Sequence, residues 1–140
     1  MDEQDAGKVK VIASHIRSAI GDDFKWEWDS RFEGALTQFE KSNEPQIQRA
    51  LSTILAHEWR VTNIEDAPEA VLIATDFLGG LRSGQTVFTG DSDVDPFILG
   101  AFWPWGNGVT VSLRIIPFSM SRSPDGMTAI RKAVRDAFIR

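Results

Sequence analysis

Residues 91–95 hold the densest arrangement of possible cation ligands in the chain. Asp91, Asp93 and Asp95 occupy alternate positions, as do the first ligands of an EF-hand loop, where each carboxylate directs an oxygen at one cation. The resemblance then ends, because Pro96 occupies the position where the loop needs glycine and Phe102 the position of the bidentate glutamate. The segment is therefore predicted to be an acidic connection between two strands, without a metal site.

Histidine and serine patterns predict no catalytic centre. His57-Glu58 begins like a zinc-binding His-Glu-x-x-His motif, but Val61 replaces the second histidine, and the other histidine, His15, is distant in sequence. Nucleophile-elbow, phosphate-loop and dinucleotide-binding patterns are absent from the sequence. No catalytic residue, metal ligand or cofactor is predicted. An enzyme or small-ligand site assembled from distant residues stays an alternative, for which His57 is the residue to test.

Charge is distributed unevenly along the chain. The formal net charge is -5, with eighteen acids against nine bases in residues 1–100 and two against six in residues 101–140. Seven acids lie in 65–95, and Arg82 is the single base there. This stretch is interpreted either as a solvated face or as an acidic surface that docks on a basic protein. The acidic balance disfavours nucleic-acid binding.

Two tryptophans flank a predicted hairpin tip, Trp103-Pro104-Trp105. Tryptophan is enriched at binding hot spots, so either ring could anchor a partner. In the alternative interpretation, Trp105 folds back over the sheet as a lid on the core. The predicted partner-binding residues are Glu65, Asp66, Glu69, Asp91, Asp93, Asp95, Trp103 and Trp105.

The first half of the chain is predicted to be mainly helical. Residues 6–20 have helical apolar spacing, and 24–28 alternates aromatic and charged residues as a half-buried strand does. Ser30 and Glu33 form a capping-box pattern, which predicts a helix over 31–41. The other elements predicted here are helices over 43–57 and 67–79, with a short extended segment at 59–63. Segment 67–79 also fits a buried strand, but its cap, proline and terminal glycines favour the helix.

The second half is predicted to form an antiparallel sheet followed by a helix. A strand is expected at 85–89, and a hairpin over 97–103 and 109–116 that turns through Asn107-Gly108. Ser123 is expected to cap the final helix, whose core face carries Met127, Ile130, Val134 and Phe138. The predicted fold is a single α+β domain over 1–140, with several helices on an antiparallel sheet of about three to four strands and a C-terminal helix.

Composition narrows the functional class. The chain has no cysteine and no apolar run long enough to span a bilayer, which predicts a soluble, cytoplasmic protein that does not bind membranes. Its profile resembles, in composition alone, bacterial immunity proteins, secretion chaperones and phage-encoded inhibitors. The predicted function is that of a small acidic protein-binding module docking on a basic protein partner. A second alternative is a subunit of a homo-oligomer, such as a homodimer, joined through the Trp103–Trp105 hairpin.

Overall fold

The computed structural model describes residues 2–91, 94–121 and 123–139, in which helices and strands form one α+β domain. Its helices are α1 (Asp2–Ile20), α2 (Glu44–Ser52), α3 (Glu69–Phe77) and α4 (Pro124–Phe138). Its strands are β1 (Glu27–Asp29), β2 (Gly34–Glu40), β3 (His57–Trp59), β4 (Thr86–Thr89), β5 (Phe97–Pro104) and β6 (Thr110–Phe118). Within these residues, no helix is long and apolar enough to cross a membrane.

The strands form one antiparallel sheet in the order β1-β2-β6-β5-β4-β3. The β5–β6 hairpin lies at its centre, pairing Phe97 with Phe118 at one end and Trp103 with Ser112 near the other. The predicted α+β class and the predicted hairpin are therefore confirmed. The sheet is larger than predicted, with six strands, because β2 lies where a helix is expected and β3 pairs with β4 as an edge strand.

Helices cover the two faces of the sheet unequally. On the first face, α1, α2 and α4 enclose the larger core, which includes Ile16, Leu51, Phe102, Val111, Leu113 and Ile130. On the second face, α3 packs on a smaller core made of Ala74, Leu78, Val87, Phe97, Leu99, Ala101 and Ile116. Because α3 has only nine residues, about 13 Å of helix, it shields only part of the second face.

Local signals identify α3 and α4 correctly. The segment after Pro68 is a helix rather than a buried strand, and Gly79 and Gly80 follow it with positive φ angles of 95° and 82°. At the start of α4, the Ser123 hydroxyl accepts a hydrogen bond from the Gly126 N–H at 3.3 Å. The four predicted core residues of α4 are all buried, Met127, Ile130, Val134 and Phe138.

The predicted helix over 31–41 is wrong. Residues 31–33 form a turn, and β2 follows between β1 and β6. Leu36 and Phe39 are both buried, but they face opposite sides of the sheet because successive strand residues alternate. A strand buried on both faces need not show a regular apolar–polar alternation, and pairing with the distant β6 outweighs a local capping pattern.

The boundaries around β3 also differ from those predicted. Helix α2 ends at Ser52 rather than near His57, and a turn at residues 53–54 leads from it into the edge strand. The extended segment expected at 59–63 begins earlier, since β3 covers His57–Trp59 and the chain turns again after Arg60. The indole Nε1 of Trp59 donates to the Thr89 hydroxyl at 2.9 Å, which fixes this short strand on β4.

Candidate binding groove

An open groove crosses the part of the second face that α3 leaves uncovered. One wall is the C-terminal end of α3, with Phe77 and Leu78, and the other is the β1–β2 turn, with Phe32. Two adjoining concavities, of about 350 Å³ and 180 Å³, share Phe32 and Leu78 and together form the groove. We call them the polar half and the apolar half.

The floor of the groove follows the central hairpin. In β5 the residues facing it alternate through Leu99, Ala101 and Trp103, and in β6 they are Arg114, Ile116 and Phe118. From the level of Trp103 to that of Phe118, which pairs with Phe97, the floor spans six residue steps, roughly 20 Å at ~3.3 Å per residue. The groove is therefore as long as an extended segment of about six residues.

Three arginines line the polar half, Arg31, Arg82 and Arg114, and none of its lining residues is acidic. Arg82 lies in a turn closed by Gln85, whose side-chain oxygen accepts from the Arg82 N–H at 2.8 Å. The guanidinium carbons of Arg31 and Arg114 lie 4.9 Å and 5.1 Å from the centre of the Phe32 ring. These cation–π contacts hold an aromatic ring and two cations together at the middle of the groove.

Asp29 organises the wall beside these cations. Its Oδ1 accepts from the Arg31 N–H at 3.0 Å, and its Oδ2 accepts from Arg114 Nε at 2.7 Å. Partial burial disfavours the charged carboxylate, but hydrogen bonds from Arg114 and from the backbone of Arg31 and Phe32 outweigh it and hold the pKa of Asp29 below its ordinary value. One carboxylate thus shapes the β1–β2 turn and orients a floor residue.

Glu33 closes this turn in the left-handed backbone region, with φ of 56°. A non-glycine residue adopts this conformation only at a cost, so the surrounding structure must impose it. The strain lies directly beside the groove, because Glu33 lines its apolar half. Gly34 follows, and a Cβ there would lie 2.6 Å from Ile116 Cγ1, so only glycine allows β2 to approach β6 this closely.

The apolar half carries the largest exposed ring of the groove. Phe77 on α3 is 60% exposed, although phenylalanine is normally buried. It faces a surface built from Leu99, Ile116, Pro117, Phe118 and Met127. The exposed ring of Phe77 is therefore continuous with a partly covered apolar surface of the sheet.

The predicted acidic residues do not converge on this groove. Glu65 and Asp66 lie in a 3₁₀ turn and Glu69 begins α3, and all three are exposed. Asp91 is exposed after β4, and Asp93 lies outside the described residues. Glu65, Asp66, Glu69 and Asp91 therefore lie outside the groove, in the turn before α3, at the start of α3 and after β4.

Asp95 serves a structural role in the fold. Its carboxylate accepts hydrogen bonds from the hydroxyls of Ser119 and Ser121, both at 2.7 Å, and from the Met120 N–H at 2.9 Å. Burial disfavours its charge, but these three donors outweigh that effect, and the pKa of Asp95 lies below its ordinary value. Asp95 thereby fastens the start of β5 to the segment after β6.

The two predicted tryptophans have different surroundings. Trp103 is half-buried and lines the polar half of the groove. Trp105 is 45% exposed, and its ring turns back so that Nε1 donates to the Ser112 hydroxyl at 2.8 Å. Asp95 and Trp105 flank opposite ends of β5, which are about 23 Å apart at ~3.3 Å per residue. They therefore do not form one compact contact site.

His57 lies away from the groove. It is exposed on the edge strand β3, where its ring stacks on Trp59 with centroids 6.2 Å apart. Among the described residues, no group of three or more His, Cys, Asp or Glu side chains could hold a metal ion. The arrangement expected of an assembled enzyme site, a deep pocket holding His57 with acids, is not found at this position.

Among the predicted partner-binding residues that the structure describes, Trp103 lines the groove, and the other lining residues were not predicted to bind a partner. Arg114 occupies a polar position of an alternating strand. From the sequence such a position is taken to face solvent, because the partial cover of the second face is not visible there. Phe32 lies in the segment 31–41 and Phe77 in the segment 67–79, both predicted to be helices, and neither prediction places the two rings beside one groove. The one available signal was the absence of acids near Arg114 in a chain that is otherwise acidic.

No protein-family model matches the chain, and no curated protein and no solved structure matches it significantly. The groove and its charges are therefore the observations from which a function is proposed.

Proposed function

We propose that this protein is a binding module for another protein and that its contact surface is the second-face groove. The carrying observation is an incompletely covered, aromatic-lined groove about 20 Å long, with three arginines in one half and an apolar floor in the other. Phe77 is its exposed anchor, and the ring of Phe32 lies opposite. Aromatic side chains, phenylalanine among them, are enriched in the buried cores of protein interfaces.

The groove is better suited to a segment of a protein than to a small molecule. Small-molecule sites commonly enclose most of their ligand, whereas this groove is open along its length. Its floor consists of two neighbouring strands, about 5 Å apart. A chain in extended form matches that shape, and it would place alternate side chains on the floor.

The test is a selection of random dodecapeptides against the immobilised protein, followed by a comparison of two variants. Phe77→Gln removes the groove's exposed ring, and Val11→Gln is the matched control, because Val11 is 55% exposed on α1, over the first face. Both variants should fold, since exposed substitutions usually change stability by less than about 0.5 kcal/mol. The selected peptides should lose about 2 kcal/mol of binding free energy on Phe77→Gln and nothing on Val11→Gln.

Two results would contradict the proposal. One is a selection that enriches no peptide. The other is a set of enriched peptides that bind Phe77→Gln as tightly as the parent protein. Peptides that respond to Val11→Gln instead would place the contact surface on the first face.

A second surface for a basic partner is proposed on the exposed acids Glu65, Asp66 and Glu69. No ion pair among the described residues involves them, so their charges are available to steer association. With a protein partner in hand, neutralising the three to amides should slow association at low salt and flatten its salt dependence. Neutralising the exposed residues Asp23, Glu27 and Glu40 provides the matched control. Equal association rates for both triple variants would exclude this surface.

A further inference from the structure

The groove has a chemical polarity along its length. Arg31 and Arg82 are exposed in the polar half, and neither forms an ion pair with a described acidic residue. Arg114 is paired with Asp29 at 2.7 Å, which leaves the two other cations uncompensated in a chain of net charge -5. The apolar half begins two residues further along β6, at Ile116, and ends at Phe118; Glu33 and Arg131 line its rim, so its charged groups are of both signs.

Resting on the proposed protein-binding role, we infer that the groove takes an extended partner segment carrying an acidic side chain and, four residues away, a large apolar side chain. The carboxylate binds Arg31 and Arg82, and the apolar side chain packs against Phe77 and Phe118. The guanidinium of Arg31 contacts the same Phe32 ring as that of Arg114, so Arg114 marks the level of the carboxylate. Arg114 and Phe118 are four residues apart in β6, about 13 Å in a strand. An even spacing places both side chains of the segment on its floor-facing side.

Charge and shape both favour this occupant. A carboxylate is the natural ligand of guanidinium groups, which donate several hydrogen bonds in a planar arrangement, and Arg31 and Arg82 line the same concavity. A helix spanning the same length would be about 10 Å wide. The floor between Phe32 and Leu78 is formed by two strands, β5 and β6, whose spacing of about 5 Å suits an extended segment better. A fatty acid shares the anionic and apolar chemistry, but it would lie in an open groove that leaves much of its tail in water.

The test uses fluorescein-labelled hexapeptides and fluorescence anisotropy. One peptide has Glu at position one, Val at three, Phe at five and Thr elsewhere. A second has the reverse order, so that both directions of the bound segment are tested. Each has a partner peptide with Gln in place of Glu. On the parent protein, the tighter Glu peptide should bind about three- to tenfold better than its Gln partner.

Two double variants assign that preference to the groove. The Arg31→Gln/Arg82→Gln protein should bind the Glu and Gln peptides equally. The Arg49→Gln/Lys41→Gln protein is the control, since both side chains are exposed outside the groove lining, and it should keep the full preference. Arg114 is left unchanged because its ion pair supports the fold.

The outcomes separate this inference from the proposed function. Peptides that need Phe77 but bind equally with Glu or Gln would overturn the inference and leave the binding module intact. A Glu preference that survives Arg31→Gln/Arg82→Gln would also overturn it. Binding that is insensitive to Phe77→Gln would contradict the proposed function itself. If no hexapeptide binds at concentrations up to about 1 mM, the inference is wrong. Laurate binding that depends on Arg31 and Arg82 would show that the groove takes a small amphiphile rather than a peptide.

Discussion

Asp29 and Arg114 are separated by 85 positions in the chain, yet Arg114 Nε donates to Asp29 Oδ2 at 2.7 Å. Both side chains are largely shielded from water, with 12% and 20% of their surfaces exposed. The pair joins the end of β1 to the central strand β6 across the intervening β2. It therefore fixes the width of the groove at the level where Phe32 forms the wall.

Replacing Asp29 with Asn tests this pair. The change removes the charge while keeping an acceptor oxygen, and it should cost about 1–2 kcal/mol of unfolding free energy at neutral pH. The folded-state pKa of Asp29 is lowered from 3.8, so its contribution is present above that pH and is lost as the pH falls through the lowered value. Urea denaturation should therefore show a difference between parent and variant that shrinks in acid; a difference that does not change with pH would contradict the ion-pair account.

Replacing Gly34 with Ala tests the close approach of β2 to β6. The new Cβ would meet Ile116 Cγ1 at 2.6 Å and the Ile115 carbonyl oxygen at 2.7 Å, and such overpacking costs about 1–3 kcal/mol. Gly7→Ala is the control, because an added Cβ on α1 would meet nothing within 4 Å and should stabilise the helix by about 0.5–1 kcal/mol. The melting temperature should fall for Gly34→Ala and rise for Gly7→Ala. A Gly34→Ala protein as stable as the parent would show that the strands separate easily.

Replacing Val111 with Asp tests the central hairpin. Val111 is fully buried in the first-face core, with 0% exposure, so an unpaired carboxylate there should cost about 4 kcal/mol or more and prevent stable folding. Val109, 57% exposed at the same hairpin, is the matched site, and its replacement with Asp should be tolerated. Circular dichroism melts distinguish the two, and a Val111→Asp protein that melts like the parent would place this strand elsewhere.

Calcium should not bind tightly to the loop that contains Asp91 and Asp95. The Asp95 carboxylate already accepts three hydrogen bonds from residues 119–121, which a cation would have to displace. A bound ligand at a hundred times its dissociation constant would stabilise the protein by about 2.7 kcal/mol. Because no tight site is expected, the melting temperature of chelator-treated protein should barely change on calcium addition. A rise of several degrees at sub-millimolar calcium would reverse this expectation.

The sequence by itself determined the elements whose signals are local. Asn107 marks the β5–β6 turn, and its side-chain oxygen accepts from the N–H groups of Val109 and Thr110 at 2.9 Å and 3.0 Å. Only Gly108 of the pair has positive φ, so the turn is longer than a two-residue one, but its position is as predicted. Ser123 likewise marks the start of α4. These signals act over three or four residues, and any fold that contains the segment can satisfy them.

Tertiary structure alone decided the strand identity of β2 and the existence of the groove. Ser30 and Glu33 form a helix-capping pattern, but β2 gains more by pairing with β6 and burying Ala35, Thr37 and Phe39 on the first face. That same choice brings Arg31 and Phe32 next to Arg114, which the sequence shows only as a polar position in a strand. The free energy gained by burial and strand pairing depends on contacts between distant segments, so a pattern of neighbouring residues cannot predict it.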